Sequence, residues 1–302
     1  MKETKVIDSY NNELHTYIFD QIKRPKGVVQ IVHGLNEHGL RYVEFAEFLN
    51  QSGYIVVVFD HLSQGKTRRA DEQYVNFGKK GQLKLVDGLN SVRKFIQNEY
   101  PNLPIFAFGH SMGTMILRYY LQTQNNEYKK VILNGGGYSS IKGMNFAILI
   151  GRIICIFRPN KPSKFFDNLF RQTQFKIKEK TEIDHFIEWL TRDKVKSDLN
   201  KEDPYLFIRL TSRSFLVNLI MIKHINSIKN IINTHLDSPI LLLSGSHDPA
   251  TNFGEGTKEL DALYKSNGNQ SKYIIYEEGR HDTLQEINRE EVFRDILHFL
   301  EE

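Results

Sequence analysis

The chain has almost no cysteine, since Cys155 is the only one among 302 residues. A single thiol excludes an internal disulfide, and such sparing use of cysteine is typical of a reducing compartment. Long apolar runs are also missing. The nearest, residues 144–157, is interrupted by polar residues and falls short of the roughly 18 residues that a membrane-spanning helix needs. Because the first residues also lack the apolar core of a signal peptide, we expect a cytoplasmic protein.

An excess of one charge is absent as well. The 40 Lys and Arg residues nearly balance the 36 Asp and Glu residues, and the basic residues are scattered rather than clustered. We therefore expect no nucleic-acid partner. The hydrophobic fraction of 40% is ordinary for a globular protein, and the length leaves room for one large α/β domain or two modest ones.

What the chain does contain is an alternation of short apolar strands and amphipathic helices. The apolar runs are continuous, as in strands that are buried on both faces of a sheet. This alternation predicts an α/β fold with a mostly parallel central sheet and helices on both faces. The expected strands are residues 14–19, 27–33, 54–60, 105–108, 130–134, 239–245 and 272–276, and the expected helices are residues 42–51, 83–98, 114–122, 255–267 and 289–301.

The alternation stops in the middle of the chain. Residues 138–235 show mostly helical patterns and few strand-like runs. We therefore predict that residues 1–137 and 236–302 form one sheet domain, and that residues 138–235 are a helical segment inserted into it.

A serine lies between two glycines at a predicted junction of strand and helix. Residues 109–113 read Gly-His-Ser-Met-Gly, the pattern G-x-S-x-G, between the strand 105–108 and the helix 114–122. This context favours a nucleophile elbow, in which the serine occupies a tight, strained turn and the glycines avoid collision with the neighbouring strand and helix. We predict that Ser111 is a nucleophile.

Two polar loops follow the last two predicted strands. Asp248 lies just after the strand 239–245, and His281 lies just after the strand 272–276. Because the carboxyl ends of parallel strands meet at one edge of the sheet, we expect both side chains near Ser111. The chain order Ser, Asp, His is the one expected of an α/β-hydrolase. We predict that His281 is the general base and that Asp248 orients it.

Each of these two residues has a neighbour that could take its place. His247 adjoins Asp248, but it precedes the last predicted strand, where the base is not expected. Asp282 adjoins His281, and neighbours on an extended loop point in different directions, so one of each pair can face the site. Asp248 also fits a simple turn residue before Pro249.

An oxyanion needs two N–H donors near the nucleophile. We predict the backbone N–H of Met112, directly after Ser111, and that of Leu35 in the loop after the strand 27–33. Gly34 and His110 are expected to line the substrate-binding side of the site. The histidines of these loops show no H-x-x-x-H or H-E-x-x-H spacing, so we expect no metal and no cofactor.

These motifs resemble the monoglyceride lipase and lysophospholipase branch of the α/β-hydrolases, over nearly the full length of the chain. Residues 33–38 with Arg41 and Tyr42 resemble its H-G-x-x-E-H…R-Y loop. Residues 188–193, E-W-L-T-R-D, resemble a lid signature of its bacterial members, and Gly-Arg-His at 279–281 resembles the tail around its catalytic histidine. Ser63 is a departure, because the family usually has glycine there in its D-x-x-G-x-G-x-S loop.

The resemblance implies a serine hydrolase that acts on carboxylic esters of lipid-like alcohols, such as monoacylglycerols or lysophospholipids. It also implies that the inserted helices are a lid over an acyl pocket, with Ile148 and Ile153 as candidate pocket residues. Residues 146–157 are unusually apolar for a solvated helix, and two interpretations fit them: a helix packed on the core, or a lid that contacts a membrane surface. A small-ester esterase, a peptidase and a non-catalytic binding protein are the alternatives, and the intact Ser, Asp and His set argues against the last.

Overall fold

The computed structural model describes residues 1–124, 127–166, 189–234 and 236–302. Eight strands of these residues form one sheet in the order β1-β2-β4-β3-β5-β6-β7-β8. The first three strands of that order pair antiparallel, and all other neighbours pair parallel. The prediction of a mostly parallel sheet is therefore confirmed. The strands are β1 (Lys2–Ile7), β2 (Glu13–Phe19), β3 (Gly27–Val32), β4 (Tyr54–Phe59), β5 (Ile105–His110), β6 (Val131–Asn134), β7 (Ile240–Gly245) and β8 (Ser271–Tyr276).

Helices cover both faces of the sheet because successive strand residues point to opposite sides. In β3, Val28 and Val32 pack in one apolar cluster, whereas Val29 and Ile31 pack in a second. The first cluster contains side chains of α2 (Gly81–Glu99), α3 (Met112–Thr123) and α8 (Glu255–Ser266). The second contains side chains of α1 (Val43–Gln51) and α9 (Arg289–Glu301).

The edge strand β1 is absent from the strands predicted from the sequence. Its sequence K-E-T-K-V-I carries three charged residues, and only Val6 is buried. Hydrophobic periodicity cannot identify a strand that has a single buried side chain. Pairing with β2 along the whole length of β1 forms the strand instead.

The segment between β6 and β7 is helical where the structure describes it. Its helices are α4 (Met144–Phe157), α5 (Lys194–Glu202), α6 (Ser212–Ile225) and α7 (Ile228–Ile232). Val217 and Met221 of α6 pack in the same apolar cluster as α2 and α3. The segment between β6 and β7 is thus packed against the sheet and its helices through α6. No helix in the described ranges is long and apolar enough to cross a membrane.

A buried arginine joins the residues that follow β6 to the end of α6. The guanidinium of Arg118, on α3, donates from Nη1 to the carbonyl of Gly137 at 2.9 Å and from Nη2 to the carbonyl of Ile225 at 2.7 Å. Asn226, which follows Ile225, donates to the hydroxyl of Ser139 at 3.1 Å. One core side chain therefore binds the chain just after β6 and again at the end of α6.

Ser63 adopts the backbone conformation that a glycine would favour at this place. Its φ is 62°, in the left-handed region, and the residue is fully buried. Its hydroxyl accepts a hydrogen bond from the N–H of Asn76 at 2.8 Å. This bond compensates for part of the backbone strain, so the loop keeps its shape without the glycine.

Candidate active site

Ser111 lies at the turn between β5 and α3, and its backbone is strained. Its φ is 50° and its ψ is −114°, an unusual conformation for a residue with a side chain. The N–H of Ser111 donates to the carbonyl of Asn134 at 2.9 Å, which ties the turn to the neighbouring strand β6. Strain of this kind persists only where the surrounding structure holds it, and it is common at functional sites.

The two glycines of the turn are required by close packing. A Cβ atom on Gly109 would lie 2.7 Å from Cδ1 of Leu117 and 2.9 Å from the backbone of Gly113. A Cβ atom on Gly113 would lie 1.9 Å from the carbonyl oxygen of Val32 in β3. The physical reason for the G-x-S-x-G pattern is thus confirmed.

We expect Gly113→Ala to lower the free energy of unfolding by about 3 kcal/mol or more, because backbone atoms of β3 cannot move aside as a side chain can. Chemical denaturation followed by circular dichroism measures this loss. The matched control is Gly88→Ala in α2, where the new Cβ meets only the flexible side chain of Leu14, at 3.1 Å. Equal stability of the two variants would contradict the prediction.

The side chains of Ser111, His281 and Asp248 form one hydrogen-bonded chain. Nε2 of His281 lies 2.8 Å from Oγ of Ser111, and its Nδ1 lies 2.9 Å from Oδ2 of Asp248. The second oxygen of Asp248 accepts the N–H of Ala250 at 2.8 Å. Asp248 and the imidazole are both buried, whereas Ser111 is partly exposed. This geometry allows the imidazole to take a proton from the serine while the carboxylate fixes its orientation.

The alternative residues point elsewhere. His247 is exposed, although it adjoins the buried Asp248. The carboxylate of Asp282 accepts from Nη2 of Arg41 at 2.6 Å. The structure therefore brings Asp248 and His281 to Ser111 and turns their neighbours away from it.

The environment of His281 favours its charged form. Burial by itself would lower the pKa of His281, but the charge and hydrogen bond of Asp248, together with the charges of Asp282 and Glu37, raise the pKa above its ordinary value. A base of this kind is well suited to hold the proton that a serine gives up as it attacks.

The predicted oxyanion donors are the backbone N–H groups of Leu35 and Met112. Within the described residues, neither N–H donates a hydrogen bond to another protein atom. Gly34 passes close to the serine, since a Cβ atom on it would lie 3.2 Å from Cβ of Ser111. The N–H of Gly34 donates to Glu37 and so is not free for a ligand. Leu35 and Met112 stay the predicted donors.

A buried charge network that sequence reasoning missed lies beside the imidazole. Ligand atoms of Glu37, His110 and Asp282 lie within 4.8 Å of one another, a spacing that a metal ion could use. The guanidinium of Arg41 already pairs with both carboxylates. It donates from Nε to Glu37 at 2.9 Å and from Nη2 to Asp282 at 2.6 Å. Burial would raise the pKa of Glu37, but His110, Arg41 and hydrogen bonds from Tyr42 and Gly34 lower it below its ordinary value. Glu37, Arg41 and Asp282 therefore form an internal ion-pair network.

His110 is placed behind the reacting groups. It is buried, and its ring centroid lies 5.0 Å from that of His281. Its Nδ1 lies 3.1 Å from Nδ2 of Asn134. Burial lowers the pKa of His110 below its ordinary value. Its predicted contact with substrate stays a prediction.

The two candidate pocket residues of α4 lie on different sides of the helix. Ile148 is buried against Phe166 and Leu219, whereas Ile153 is 49% exposed. One side of α4 therefore packs in a small apolar cluster with α6, and the other presents apolar side chains to the surface. The exposed members are Phe146, Leu149, Ile153, Ile156 and Phe157.

Comparison with known proteins gives consistent matches. A family model described as serine aminopeptidase, S33, matches residues 23–288. The monoglyceride lipase of Mus musculus is 28% identical over 280 residues, covering 91% of this chain and 80% of that protein. The probable lysophospholipase L2 of Haemophilus influenzae is 23% identical over 277 residues, covering 89% and 82%.

Two further matches differ in how much of each chain they cover. A monoglyceride lipase homolog of Monkeypox virus is 33% identical over 106 residues, and this match covers 35% of the chain and only 37% of the viral protein's length. A solved structure of a thermostable carboxyl esterase from Bacillus coagulans superimposes with a TM-score of 0.91 at 24% identity, covering 99% of this chain and 97% of that one. This likeness shows the fold.

Proposed function

We propose that the chain is a serine hydrolase of carboxylic esters, on the premise that it belongs to the α/β-hydrolases of the serine aminopeptidase S33 family. Within them it belongs to the monoglyceride lipase and lysophospholipase branch. The observation that carries the proposal is the spacing of 2.8 Å between Ser111 Oγ and His281 Nε2, with Asp248 on the other side of the imidazole.

The proposed reaction begins with the attack of Ser111 Oγ on the acyl carbon. His281 Nε2 accepts the hydroxyl proton and then gives it to the alcohol oxygen as that oxygen leaves, which forms an acyl-enzyme. Water then enters, His281 removes its proton, and the attack of this water on the acyl carbon releases the acid and returns the proton to Ser111. Asp248 keeps the imidazole in one orientation through both halves.

The negative oxygen that forms in each half is held, in this proposal, by the N–H groups of Leu35 and Met112. Loss of one such donor typically costs about 3 kcal/mol of transition-state stabilisation. Glu37 supports the loop that carries Leu35, because its carboxylate accepts from the N–H of Gly34 and from the hydroxyl of Tyr42.

We further propose that residues 138–235 are a cap over an acyl pocket and that the substrate is lipid-like. The names of the relatives support a monoacylglycerol or lysophospholipid substrate. The exposed apolar side of α4 supports a cap that faces lipid. In this proposal Ile153 contacts the lipid, and Ile148 is packed inside the cap. Part of this cap, residues 167–188, lies outside the described residues.

The test is a substrate panel of monoacylglycerols, lysophospholipids, nitrophenyl esters of rising chain length and aminoacyl arylamides. Because each buried methylene contributes about 0.8 kcal/mol, we expect kcat/KM to rise by roughly fourfold per added methylene until the pocket is filled. Ser111→Ala supplies the background rate. A flat dependence on chain length would favour a small-ester esterase, and turnover of arylamides alone would favour a peptidase. Failure of a fluorophosphonate to label the folded protein would favour a binding protein.

A further inference from the structure

The single tryptophan of the chain lies against the imidazole of His281. The centroids of the two rings are 4.3 Å apart and their planes differ by 26°, which is a stacked arrangement. Trp189 is 8% exposed, so the contact is inside the protein. This tryptophan comes from the insertion, whereas His281 follows the last strand of the sheet domain.

The segment 189–193 is bound to the loop that carries His281. The N–H of Asp282 donates to the carbonyl of Leu190 at 2.8 Å. The hydroxyl of Thr191 donates to the carbonyl of Gln285 at 2.8 Å, and Nε of Arg192 donates to Oε2 of Glu286 at 3.0 Å. These bonds fix the indole over the imidazole.

The imidazole therefore has partners along its edges and on a face. Ser111 and Asp248 hold its two nitrogen atoms, and Trp189 stacks on the ring. An aromatic face attracts a cation, and the attraction grows where water is excluded. The charged and titratable groups that face His281 from the other elements are Asp248, Asp282, Glu37 with its partner Arg41, and His110.

We propose that Trp189 is a positioning residue for His281, whose indole face holds the imidazole between Ser111 and Asp248 and stabilises the imidazolium that forms when Ser111 attacks. This role rests on the proposed function, since it concerns the base of that reaction. It also couples the insertion to catalysis, because movement of the segment 189–193 would withdraw the indole from the base.

The first test follows the tryptophan emission of the protein as a function of pH. An imidazolium in contact with an indole quenches its fluorescence, and Trp189 is the only tryptophan that can emit. We expect the emission to fall as pH is lowered, with a midpoint equal to that of the acid limb of kcat/KM. The step should vanish in His281→Gln and persist in His247→Gln, an exposed control. A step that is absent, or one that survives in His281→Gln, would overturn the stacking role.

The second test separates an aromatic face from simple cover. Trp189→Leu keeps an apolar cover but loses the aromatic face, whereas Trp189→Phe keeps both. We expect Trp189→Leu to lower kcat/KM by roughly tenfold and to move the acid limb of kcat/KM down by roughly half a pH unit. We expect Trp189→Phe to keep both the kcat/KM and the acid limb of the parent protein. Identical pH profiles for the two variants, with thermal midpoints alike, would reject the proposal.

The two tests also distinguish failure of this inference from failure of the proposed function. If the fluorescence step is present but no ester is hydrolysed, the stack stands and the function is wrong. If esters are hydrolysed and the step is absent, the function stands and the inference is wrong.

Discussion

We expect replacement of Ser111 with alanine to lower kcat for ester hydrolysis by roughly four to six orders of magnitude. The reason is that the acyl-enzyme cannot form without Oγ, which leaves only the oxyanion donors and substrate binding to act on water. We expect the thermal midpoint to change little, because alanine keeps the Cβ atom at the strained φ of 50°. Initial rates on a nitrophenyl ester, with melting followed by circular dichroism, measure both quantities.

The control for this variant is Ser246→Ala. Ser246 lies in the loop that carries Asp248, and its hydroxyl accepts the N–H of Glu278 at 2.8 Å. We expect this variant to keep most of the parent rate. Retained turnover in Ser111→Ala would remove Ser111 as nucleophile, and equal losses in the two variants would point to a disturbed loop rather than to lost chemistry.

We expect replacement of Asp248 with asparagine to lower kcat by roughly four orders of magnitude, since an amide presents the wrong group to the imidazole and no longer balances its charge. The pH dependence should move as well. In the parent protein, Asp248 raises the pKa of His281 against the lowering effect of burial. The base works only when neutral, so kcat/KM falls below that pKa. Without the carboxylate the pKa drops, and the acid limb of the residual activity moves to lower pH.

The matched control is Asp282→Asn, on the residue next to His281. Asp282 pairs with Arg41 inside the protein, so its loss should lower the thermal midpoint because a buried charge loses a partner. We expect kcat to fall far less than in Asp248→Asn. The opposite ranking of the two rates would assign the orienting role to Asp282.

The location of the candidate site could be predicted from the sequence because parallel strands impose it. Ser111 and Asp248 each follow a fully buried strand, His281 follows the half-buried edge strand β8, and the carboxyl ends of these parallel strands meet at one edge of the sheet. Local spacing was enough to place them, and no knowledge of side-chain contacts was needed.

The surroundings of the site could not be predicted in the same way. Arg41 contacts Asp282 across 241 positions, and a charged residue in a loop shows no period that would indicate a buried partner. The contact of Trp189 with His281 could not be predicted either. The sequence associates Trp189 only with a lid signature, and the contact depends on how the insertion folds back. For α4, composition indicated an apolar helix but not which side would be covered.

The strand β1 was missed because of its charges, and those charges have a consequence for how copies of the protein meet. An edge strand exposes unpaired N–H and C=O groups on which a strand of another molecule can add. Lys2, Glu3 and Lys5 are exposed along this edge, and a second chain could pair there only by removing water from them. The edge is thereby protected against aggregation.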